Sequence, residues 1–568
     1  MRTFLFCLVF GLVLVSCNPI ETGSKRFKQP LPDPGNAGLS LPENFGALVV
    51  GTDLGRTRHI AIRDNGDIYA MNRRLENGKG VLALKDTTGD GKVDIIQTFG
   101  DSIRGTGMGI HQDYVYFSSS KAVYRSKLSP DQLIPSGPIE TMVTFPDSTT
   151  QGHGSKPFTF DSAGNMYVTV GSHSNACQEE MRSEGSPGKD PCPELPVRAS
   201  IWKFKADQPG QIQEDGSPYA IGIRNAVALD WNTANQTLYA AQHGRDDLHR
   251  FWPAYYTREE SRDMPAEEFL RVEENDDFGW PYCYYDPFKK ERMLAPEYGG
   301  QGDRQGRCEN VEKPIAVFPA HWGPNDLLFY TGDQFPEKYK NGAFIAFHGS
   351  WNRLEFEQAG FLVAFLPMKD GMPSGDWEIF AQGFLGPKAV ASPREAIYRP
   401  TGLAQGPDGS LYISDDQRGT IWRIMYYGDE YGNIQSQLAE EVPQVPLAED
   451  STELVVEEKF LAGQQVYVSY CQGCHMKNGM GVPGLNPPLG GTDWVTGDKT
   501  RLIQVILKGM NDPIEINGET YQNVMASHSF LSDQQIADVL TYIRNAFGNE
   551  ASEISPEEVA TERDRKVN

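Results

Sequence analysis

The chain has 568 residues, and its 76 acidic and 52 basic side chains give a formal net charge of −24. This length is far more than one ordinary domain needs. The acidic balance argues against nucleic-acid binding, which requires a basic surface. Abundant glycine, proline and aromatic residues, with few cysteines, fit a large globular protein.

The N terminus has the pattern of an export signal. The apolar run Phe4 to Val15 follows a basic residue and is too short to span a membrane as a mature helix. Residues 1–17 end in Leu14-Val15-Ser16-Cys17, which resembles a bacterial lipobox and implies lipid modification of Cys17. The alternative is an ordinary cleaved signal peptide, with Cys17 left as a thiol. We expect an exported lipoprotein anchored to the membrane surface, on the periplasmic side or at the cell surface.

Residues 18–44 are rich in proline and glycine and are predicted to be a spacer. From 45 to 427 the pattern changes to short β-segments separated by turns. Three near-copy turns, at 64–69, 161–167 and 407–412, each lead into an alternating strand, which is a hairpin signal. Weaker copies place aromatic residues at Tyr116, Tyr239 and Phe347. Six such strands without helical periodicity predict a mainly β fold, a six-bladed β-propeller, with a pair of β-sandwiches as the alternative.

The uneven spacing of these strands indicates two long inserted loops, at about 173–198 and 251–325. They contain four cysteines, and sequence alone leaves three pairings open. An exported protein can form disulfides. We favour Cys177–Cys192 and Cys283–Cys308, since each pair closes one long loop.

Residues 428–456 turn acidic and lose periodicity, which predicts a solvated linker. The following segment contains Cys471-Gln472-Gly473-Cys474-His475, and C-x-x-C-H is the attachment signature of a c-type haem. In this interpretation Cys471 and Cys474 form thioethers to the porphyrin, and His475 binds the iron. A redox or zinc C-x-x-C that happens to precede a histidine is the alternative.

Local patterns around the motif favour the haem. Ser532 and Gln535 form an S-x-x-Q capping box, and the helix that it opens has an apolar face. Residues 457–548 resemble the small, all-α cytochrome c domain. That resemblance implies a methionine as sixth iron ligand, in a loop before the last helix. Met525 matches this position, with His528 as the alternative, and residues 549–568 are predicted to be a charged tail.

The segment 45–427 resembles the quinoprotein sugar dehydrogenases of the glucose/sorbosone type. The resemblance rests on segments at strand ends, which are Gln151-Gly-His-Gly154, Gly222-Ile-Arg-Asn225, Gln242-His-Gly-Arg-Asp-Asp247, Asp277-Phe-Gly-Trp-Pro281, Tyr330-Thr-Gly-Asp-Gln-Phe-Pro336, His348-Gly-Ser-Trp-Asn-Arg353 and Tyr398-Arg-Pro400. It implies that pyrroloquinoline quinone (PQQ) and Ca²⁺ bind at the central mouth of the propeller.

The resemblance also implies roles for single residues. His153 occupies the position of the base that takes the substrate hydroxyl proton, although the neighbour that is an orienting aspartate in soluble glucose enzymes is Gly152 here. Arg224, with Asn225, would contact the quinone and stabilise negative charge; an arginine that bridges blades is the alternative. Cationic partners for the quinone carboxylates would be Arg58, His348, Arg353 and Arg399, unless these are ordinary surface or inter-blade charges. Backbone carbonyls for Ca²⁺ would come from Gly244 and Arg245.

A second candidate for calcium is the segment from Asp86 to Asp94. Its oxygen ligands alternate around a central glycine, similar to half of an EF-hand loop. The twelfth position is Gln97, which cannot give a bidentate carboxylate. An acidic hairpin turn is therefore the alternative.

Together these features predict oxidation of an aldose or sugar aldehyde by PQQ in the propeller. Electrons would pass to the haem and then to an external acceptor, such as a cytochrome, a copper protein or the respiratory chain. Tethering the haem to the propeller raises its effective concentration. Two other classes stay open, because propellers have many functions. They are a calcium-dependent, lactonase-like hydrolase and a non-catalytic docking propeller that carries an electron-transfer cytochrome.

Overall fold

The structure is a computed structural model that describes residues 29–349, 352–353, 356–386, 390, 392–432, 434, 460, 462–464, 466–471, 475, 479–481, 486–510, 513–521, 525, 527–529, 531–563 and 565. The chain divides into two compact units, Met1–Leu438 and Ala439–Asn568. The boundary lies inside the predicted linker 428–456. The predicted signal with Cys17, most of the predicted linker and Cys474 lie outside the described residues.

The first unit is the predicted six-bladed β-propeller. Blade I consists of Thr57–Ile62, Ile68–Glu76, Lys79–Lys85 and Ile95–Asp101. Blade II consists of Gly105–His111, Tyr114–Ser119, Ala122–Lys127 and Glu140–Thr144, with Gln211–Ile212 added in parallel. Blade III consists of Phe158–Phe160, Asn165–Val170, Ser200–Lys205 and Ser217–Ile221, with Asp276–Asp277 added in parallel.

The second half of the ring repeats this plan. Blade IV consists of Ala228–Asn232, Thr237–Gln242, Glu267–Val272 and Ala316–Phe318. Blade V consists of Pro324–Phe329, Ala343–Phe347, Leu362–Leu366 and Glu378–Ala381. Blade VI consists of Pro400–Gln405, Leu411–Asp415 and Ile421–Tyr426, and its outer strand is Phe45–Gly51.

The ring closes on itself. The first strand of each blade contacts the first strand of the next, from blade I through blade VI and back to blade I. Phe45–Gly51 comes from the start of the propeller and pairs antiparallel with Ile421–Tyr426 at its end, so one sheet joins both ends. Antiparallel pairing here satisfies the strand edges that an open ring would expose.

The repeated turns explain why the blades could be predicted. The three near-copy turns connect the first and second strands of blades I, III and VI, and Tyr116, Tyr239 and Phe347 lie in the second strands of blades II, IV and V. In each near-copy turn one glycine, at 66, 164 or 409, has a positive φ between 80° and 90°. Glycine adopts this conformation without the penalty that a Cβ imposes.

The apolar cores lie between adjacent blades. At the junction of blades V and VI, Phe45 packs edge-on against Phe335 at 4.8 Å and against Phe380 at 5.2 Å between ring centroids. All three are nearly fully buried. Such pairs contribute about 0.5–1.5 kcal/mol each beyond the burial of apolar area.

The described part of the predicted spacer is not a free segment. Leu39 is buried in the core between blades V and VI, Asp33 Oδ2 accepts a hydrogen bond from Val49 N at 2.7 Å, and the Pro30 carbonyl accepts one from Tyr427 Oη at 2.7 Å. Residues 29–44 therefore pack on blade VI, and the prediction of a spacer is wrong for them.

Both long insertions are present, and each contains a disulfide. Residues 171–199 join the second and third strands of blade III and contain Cys177–Cys192. The insertions of blade IV contain the helices Leu248–Phe251 and Arg258–Asp263, the hairpin Cys283–Asp286 with Glu291–Leu294, and the disulfide Cys283–Cys308. These are the two pairings favoured from the sequence.

The second unit is small and mainly helical. Among the residues described here, its elements are the π-helical turn Tyr467–Cys471, the helices Asp493–Thr496, Lys499–Lys508, Asp533–Asn545 and Pro556–Arg563, and the hairpin Ile514–Ile516 with Glu519–Tyr521. Ser532 and Gln535 form the predicted capping box. The apolar face of the helix that follows is buried in one core.

The prediction of a charged tail for 549–568 is wrong for part of this segment. The helix Pro556–Arg563 buries Val559 in the core of the second unit, and Arg563 pairs with Asp533 at 2.7 Å. The helix is mostly polar, and a single buried apolar residue does not produce the helical periodicity of apolar residues that a sequence-based prediction needs. Across the part of the chain that the structure describes, no helix combines the length and apolar character needed to cross a membrane.

Candidate active site

Six basic residues meet at one end of the propeller, which we call the mouth. Antiparallel pairing places the start of each first strand beside the end of the second strand, as for Pro400 opposite Asp415. Loops before first strands and after second strands therefore reach the same end. The mouth group consists of Arg58, His153, Arg224, His243, His348 and Arg399, which are coupled electrostatically; Arg58 and Arg224 are buried and the other four are partly buried.

His153 is held in one tautomer. Its Nδ1 lies 3.0 Å from the carbonyl oxygen of Ser172 and 3.0 Å from Ser172 Oγ. A carbonyl only accepts, so Nδ1 carries the proton and Nε2 keeps its lone pair. Burial, and then the charge of Arg224, lowers the pKa of His153 well below its ordinary value, so the imidazole is neutral and able to accept a proton.

Ser172 is the orienting group that Gly152 does not supply. At position 152 φ is +68°, and a Cβ there would lie 2.3 Å from the carbonyl oxygen of His173. An aspartate therefore cannot occupy this position without rearrangement. The backbone N–H of Ser172 donates to the Arg224 carbonyl at 2.8 Å, which ties the orienting residue to the neighbouring blade.

Arg224 is fixed from several sides. It donates from Nη2 to Asp246 Oδ2 at 3.0 Å and to Asn175 Oδ1 at 2.9 Å. Asp246 also accepts from Arg182 at 2.9 Å and from Asn352 at 2.9 Å. Burial alone would raise the pKa of Asp246, but Arg224 and Arg182 lower it to about 2, so the carboxylate stays charged.

Asn225 contributes to the mouth through its backbone, and its predicted contact with the quinone stays a prediction. Its carbonyl accepts a hydrogen bond from His243 N at 2.9 Å. His243 in turn donates from Nε2 to the Pro324 carbonyl at 2.7 Å. Burial is the main cause that lowers the pKa of His243 to about 4, so this imidazole is neutral as well.

The opposite side of the mouth contains Arg399, His348 and Arg58. Arg399 donates from Nη2 to His348 Nδ1 at 2.8 Å and from Nε to the His348 carbonyl at 2.9 Å. Arg58 Nε lies 3.1 Å from Asp416 Oδ2. Burial, then Arg399 and Arg58, lowers the pKa of His348 well below its ordinary value.

The charges of the mouth favour an anionic ligand. In the part of the chain that the structure describes, the carboxylates that pair with Arg58 and Arg224 are Asp416 and Asp246. Asp416 also lies 3.7 Å from Arg73, so it is shared between two guanidinium groups. Burial lowers the pKa of Arg58, Arg224 and Arg399, which means that these cations lose solvation without full compensation. A polycarboxylate such as PQQ fits this donor set.

One of the two predicted calcium ligands, the Gly244 carbonyl, has another partner. The Gly244 carbonyl accepts a hydrogen bond from Arg224 Nη1 at 3.0 Å, and Gly244 N donates to Glu267 at 2.9 Å. The Arg245 side chain forms a buried ion pair with Glu297. A Ca²⁺ ion at the Gly244 carbonyl would compete with a guanidinium, whereas the side-chain pair of Arg245 does not involve its backbone carbonyl, and calcium binding here stays a prediction.

Two further predicted sites are separate from the mouth group. Arg353 donates from Nε to the Glu357 carbonyl at 2.9 Å, and its charged neighbours are Asp263, Arg262 and Glu357. In the segment from Asp86 to Asp94, Asp86 accepts hydrogen bonds from the loop's own backbone, for example from Gly89 N and Gly91 N at 2.7 Å each. These hydrogen bonds fit an acidic turn, and calcium binding by this segment stays a prediction.

The second unit positions His475 as a metal ligand. Its Nδ1 donates to the Pro487 carbonyl at 2.9 Å, which selects the tautomer whose Nε2 can bind iron. Cys471 and Met525 both pack against the core of this unit. Met525 also forms a reciprocal backbone bridge with Met510, and His528 is buried nearby in sequence, with its N–H bonded to the Ile506 carbonyl. These residues fit a covalently attached haem.

Sequence reasoning missed several residues that the structure places at the mouth. Asp246 and His243 lie within the quoted segment 242–247, where attention to charged side chains could have found them. Ser172, Asn175 and Asp416 had no motif. They reach the mouth because they follow second strands, which only the closed ring reveals.

Comparison with known proteins gives the family. Residues 39–427 match the family model described as TrAA12-like, and residues 460–547 match that of cytochrome c. Cytochrome c-552 of Thermus thermophilus is 41% identical over 91 residues, which cover 15% of this chain and 69% of that protein. An uncharacterized protein of Borreliella burgdorferi is 26% identical over 292 residues, 51% of this chain and 64% of that protein, so the chain spans under two thirds of this relative.

Two solved structures share the propeller fold. The PQQ domain of a pyranose dehydrogenase from Coprinopsis cinerea, in its holo form, aligns with a TM-score of 0.54 at 19% identity, covering 68% of this chain and 97% of that one. A calcium structure of a family AA12 carbohydrate-active enzyme from Trichoderma reesei aligns with a TM-score of 0.56 at 19% identity, covering 71% and 99%. The chain belongs to the TrAA12-like family and joins a propeller of that family to a C-terminal cytochrome c domain, which implies haem c.

Proposed function

We propose that the protein is a quinoprotein dehydrogenase that oxidises an aldose or sugar aldehyde with PQQ bound in the propeller mouth. Electrons pass to haem c in the same chain and then to an external acceptor. The observation that carries this proposal is the buried mouth group, three guanidinium and three imidazole groups in a propeller of the TrAA12-like family.

The cofactor fits the donors of the mouth. PQQ has three carboxylates, and the guanidinium groups of Arg58 and Arg399 can hold carboxylates in a fixed geometry. His348 accepts from Arg399 at Nδ1, so its Nε2 carries the proton and is a third donor. Support also comes from the Coprinopsis structure, whose propeller is described as a PQQ domain.

The chain's own residues provide proton transfer and charge stabilisation. When bound, the quinone supplies the acceptor for the hydride that leaves the substrate carbon. His153 Nε2 takes the hydroxyl proton of that carbon, so the substrate loses one hydride and one proton in total. The Ser172 carbonyl then stabilises the imidazolium at Nδ1–H, 3.0 Å away. Arg224, held by Asp246, is a fixed positive charge where negative charge develops.

The cytochrome unit supplies the one-electron carrier. Cys471 and Cys474 would form the thioethers, and His475 would bind the iron through Nε2, since Nδ1 donates to the Pro487 carbonyl. Met525 is the proposed sixth ligand, which raises the haem potential relative to a second histidine.

We extend the proposal to export from the cytoplasm with a lipid at Cys17. Two disulfides in the long insertions need an oxidising compartment. Calcium is also part of the proposal, supported by the calcium structure of the Trichoderma relative. Because Arg224 already contacts the Gly244 carbonyl, no step of the reaction is assigned to calcium.

The test is an absorption spectrum of the purified, haem-loaded protein. PQQ, Ca²⁺ and aldoses are added in all combinations, without a dye. We expect the haem bands to shift to the reduced form only when PQQ and a sugar are both present, and the series with and without Ca²⁺ measures its contribution. Haem that stays oxidised with every sugar but reduces with dithionite would contradict the proposed sugar oxidation and would favour the docking propeller.

A further inference from the structure

A buried arginine connects the loop that carries His153 to the segment that carries Ser172. Arg198 donates from Nη1 to the Ser148 carbonyl at 2.7 Å and from Nη2 to the Gln151 carbonyl at 2.6 Å. It donates from Nε to the Gly171 carbonyl at 2.8 Å. The residue is 2% exposed, and its bond to the Gly171 carbonyl is buried, while the two bonds to the loop are partly buried.

The two segments that Arg198 joins meet at His153. Gly171 leaves room for the imidazole, since a Cβ at 171 would lie 2.7 Å from His153 Cβ. The carbonyl of the next residue, Ser172, accepts a hydrogen bond from Nδ1–H of His153. A displacement of the loop relative to Gly171 would therefore change the contact that fixes the tautomer of the base.

The turn that ends the blade III insertion, from Glu194 to Arg198, contacts the chain on both sides of Ser172. Four residues before Arg198, the carboxylate of Glu194 accepts hydrogen bonds from His173 N at 2.6 Å and from Ser174 N at 3.2 Å. The backbone N–H of Arg198 donates to the Glu194 carbonyl at 2.9 Å. Glu194 thus binds the segment after Ser172 while Arg198 binds the segment before it.

An arginine suits this task for a physical reason. The guanidinium offers five N–H donors in a rigid plane, so one side chain can reach three carbonyls that point in different directions. Hydrogen bonds from a charged donor are about twice as strong as neutral ones. A lysine could contact some of these carbonyls but could not hold all three in one plane.

A buried lysine, whose pKa burial lowers to about 7, contacts the same loop. Lys156 donates from Nζ to the Thr149 carbonyl at 3.0 Å and to the Gly154 carbonyl at 2.9 Å. Its contacts lie within the loop itself, so they stiffen it. Arg198 differs, because its bonds run from the loop to Gly171.

We propose that Arg198 is a positioning residue for His153, which clamps the base loop to the segment of Ser172 and so holds the imidazole in the tautomer that accepts a proton. The inference rests on the proposed role of His153 as base. It assigns a task in the reaction to the blade III insertion.

The first arm of the test measures turnover. Arg198→Met and Arg198→Lys are compared with Arg125→Met, which removes another buried arginine, one that pairs with Glu140 in blade II. Because a misplacement of about 1 Å can cost about 100-fold in rate, we expect kcat to fall about 100-fold in Arg198→Met, less in Arg198→Lys, and less than about threefold in Arg125→Met. KM for the sugar should stay close to wild type in all three.

The second arm is independent of sugar oxidation. Protein without added PQQ is labelled with ¹⁵N-histidine and examined by NMR. The ring signals of His153 are assigned as those that disappear in His153→Gln. We expect a protonated Nδ1 in the wild type and in Arg125→Met, and a signal averaged between tautomers in Arg198→Met. Arg198→Lys, which keeps the buried charge, gives the same comparison if Arg198→Met does not fold.

The two arms separate the possible failures. If the wild type oxidises no sugar, the proposed function is wrong, and the ring signals of His153 alone decide whether Arg198 sets its tautomer. Unchanged ring signals in both Arg198 variants would overturn the inference, even if kcat falls. A loss of kcat together with tautomer averaging, absent in Arg125→Met, supports it.

Discussion

Arg399 donates to Nδ1 of His348 at 2.8 Å, and this contact places the proton of that imidazole on Nε2. His153 has the opposite tautomer, because its Nδ1–H donates to the Ser172 carbonyl. One mouth therefore presents an imidazole that accepts a proton and an imidazole that donates a hydrogen bond. This difference comes from the hydrogen-bond partners of the two rings, since both lie beside cations, His153 beside Arg224 and His348 beside Arg399 and Arg58.

The first prediction separates these two histidines. His153→Gln should lower sugar-dependent reduction of the haem by at least about 100-fold, because general-base catalysis contributes about 10² to 10⁴. His348→Gln replaces the imidazole N–H with an amide N–H and should therefore weaken binding of PQQ. Because His348 does not take the substrate proton, kcat at saturating PQQ should stay within about tenfold of wild type. Stopped-flow spectra of the haem bands measure both, and reduction by dithionite checks that the haem is intact. Normal turnover of His153→Gln would remove this residue from the mechanism.

The pH profile follows from the environment of His153. Burial, then Arg224, lowers its pKa well below 6.5. The base works when neutral, so activity is present above the folded pKa and is lost as pH falls through it. We expect kcat/KM to show no acid limb between about pH 6 and 8 and to fall only at lower pH. A fall of kcat/KM on the acid side with a midpoint near pH 6.5 would contradict the prediction. It would show that the group that titrates is exposed to solvent, which His153 is not.

The affinity for PQQ tests which cations hold it. Hydrogen bonds to charged groups contribute about 1.5–3 kcal/mol, so Arg58→Met and Arg399→Met should each raise the Kd of PQQ about 10- to 100-fold. Arg353→Met is the matched control, because its guanidinium contacts the Glu357 carbonyl and lies beside Asp263. Titration calorimetry on the haem-loaded protein gives the three constants. An equal loss in Arg353→Met would contradict the location of the site.

The sequence predicted much of the fold and part of the site, and the limit is a physical one. Turns such as 64–69 are determined by neighbouring residues, because a glycine with positive φ lies beside Asp or Asn. Their repetition along the sequence therefore predicted the blades. The pairing of Arg224 with Asp246 spans 22 residues and depends on how two mouth loops meet. The orientation of His153 by Ser172 depends on a close approach that only Gly152 and Gly171 permit. Contacts of this kind leave no periodic pattern.

The stability of the propeller should depend on Asp326 at the first strand of blade V. Burial raises the pKa of this carboxyl to about 8, although it accepts hydrogen bonds from Leu403 N and Leu327 N. The folded state therefore keeps a proton that the unfolded state releases, so the contribution of this carboxyl to stability is fully present below its pKa in the unfolded chain and is lost as pH rises toward 8.

Asp326→Asn is neutral at every pH, and its amide oxygen can still accept from Leu403 N. We expect this variant to remove about one proton from the pH dependence of unfolding between pH 5 and 8. Thermal unfolding followed by tryptophan fluorescence gives the slope, with the exposed Asp147→Asn as control. A slope equal to that of wild type would show that Asp326 is ionised in the folded protein.

The last prediction concerns the sixth ligand of the haem. Met525 packs on the same core as Cys471, and its backbone is fixed by the reciprocal bridge with Met510. Replacing its thioether removes a ligand that favours reduced iron, so Met525→Ala should lower the haem potential and abolish the methionine–iron charge-transfer band of the oxidised spectrum. Met510→Leu keeps the backbone bridge and is the control, while His528→Ala tests the alternative ligand. Loss of the wild-type spectrum in His528→Ala, with Met525→Ala unchanged, would assign the iron to His528, because each substitution removes one possible ligand atom from an otherwise intact core.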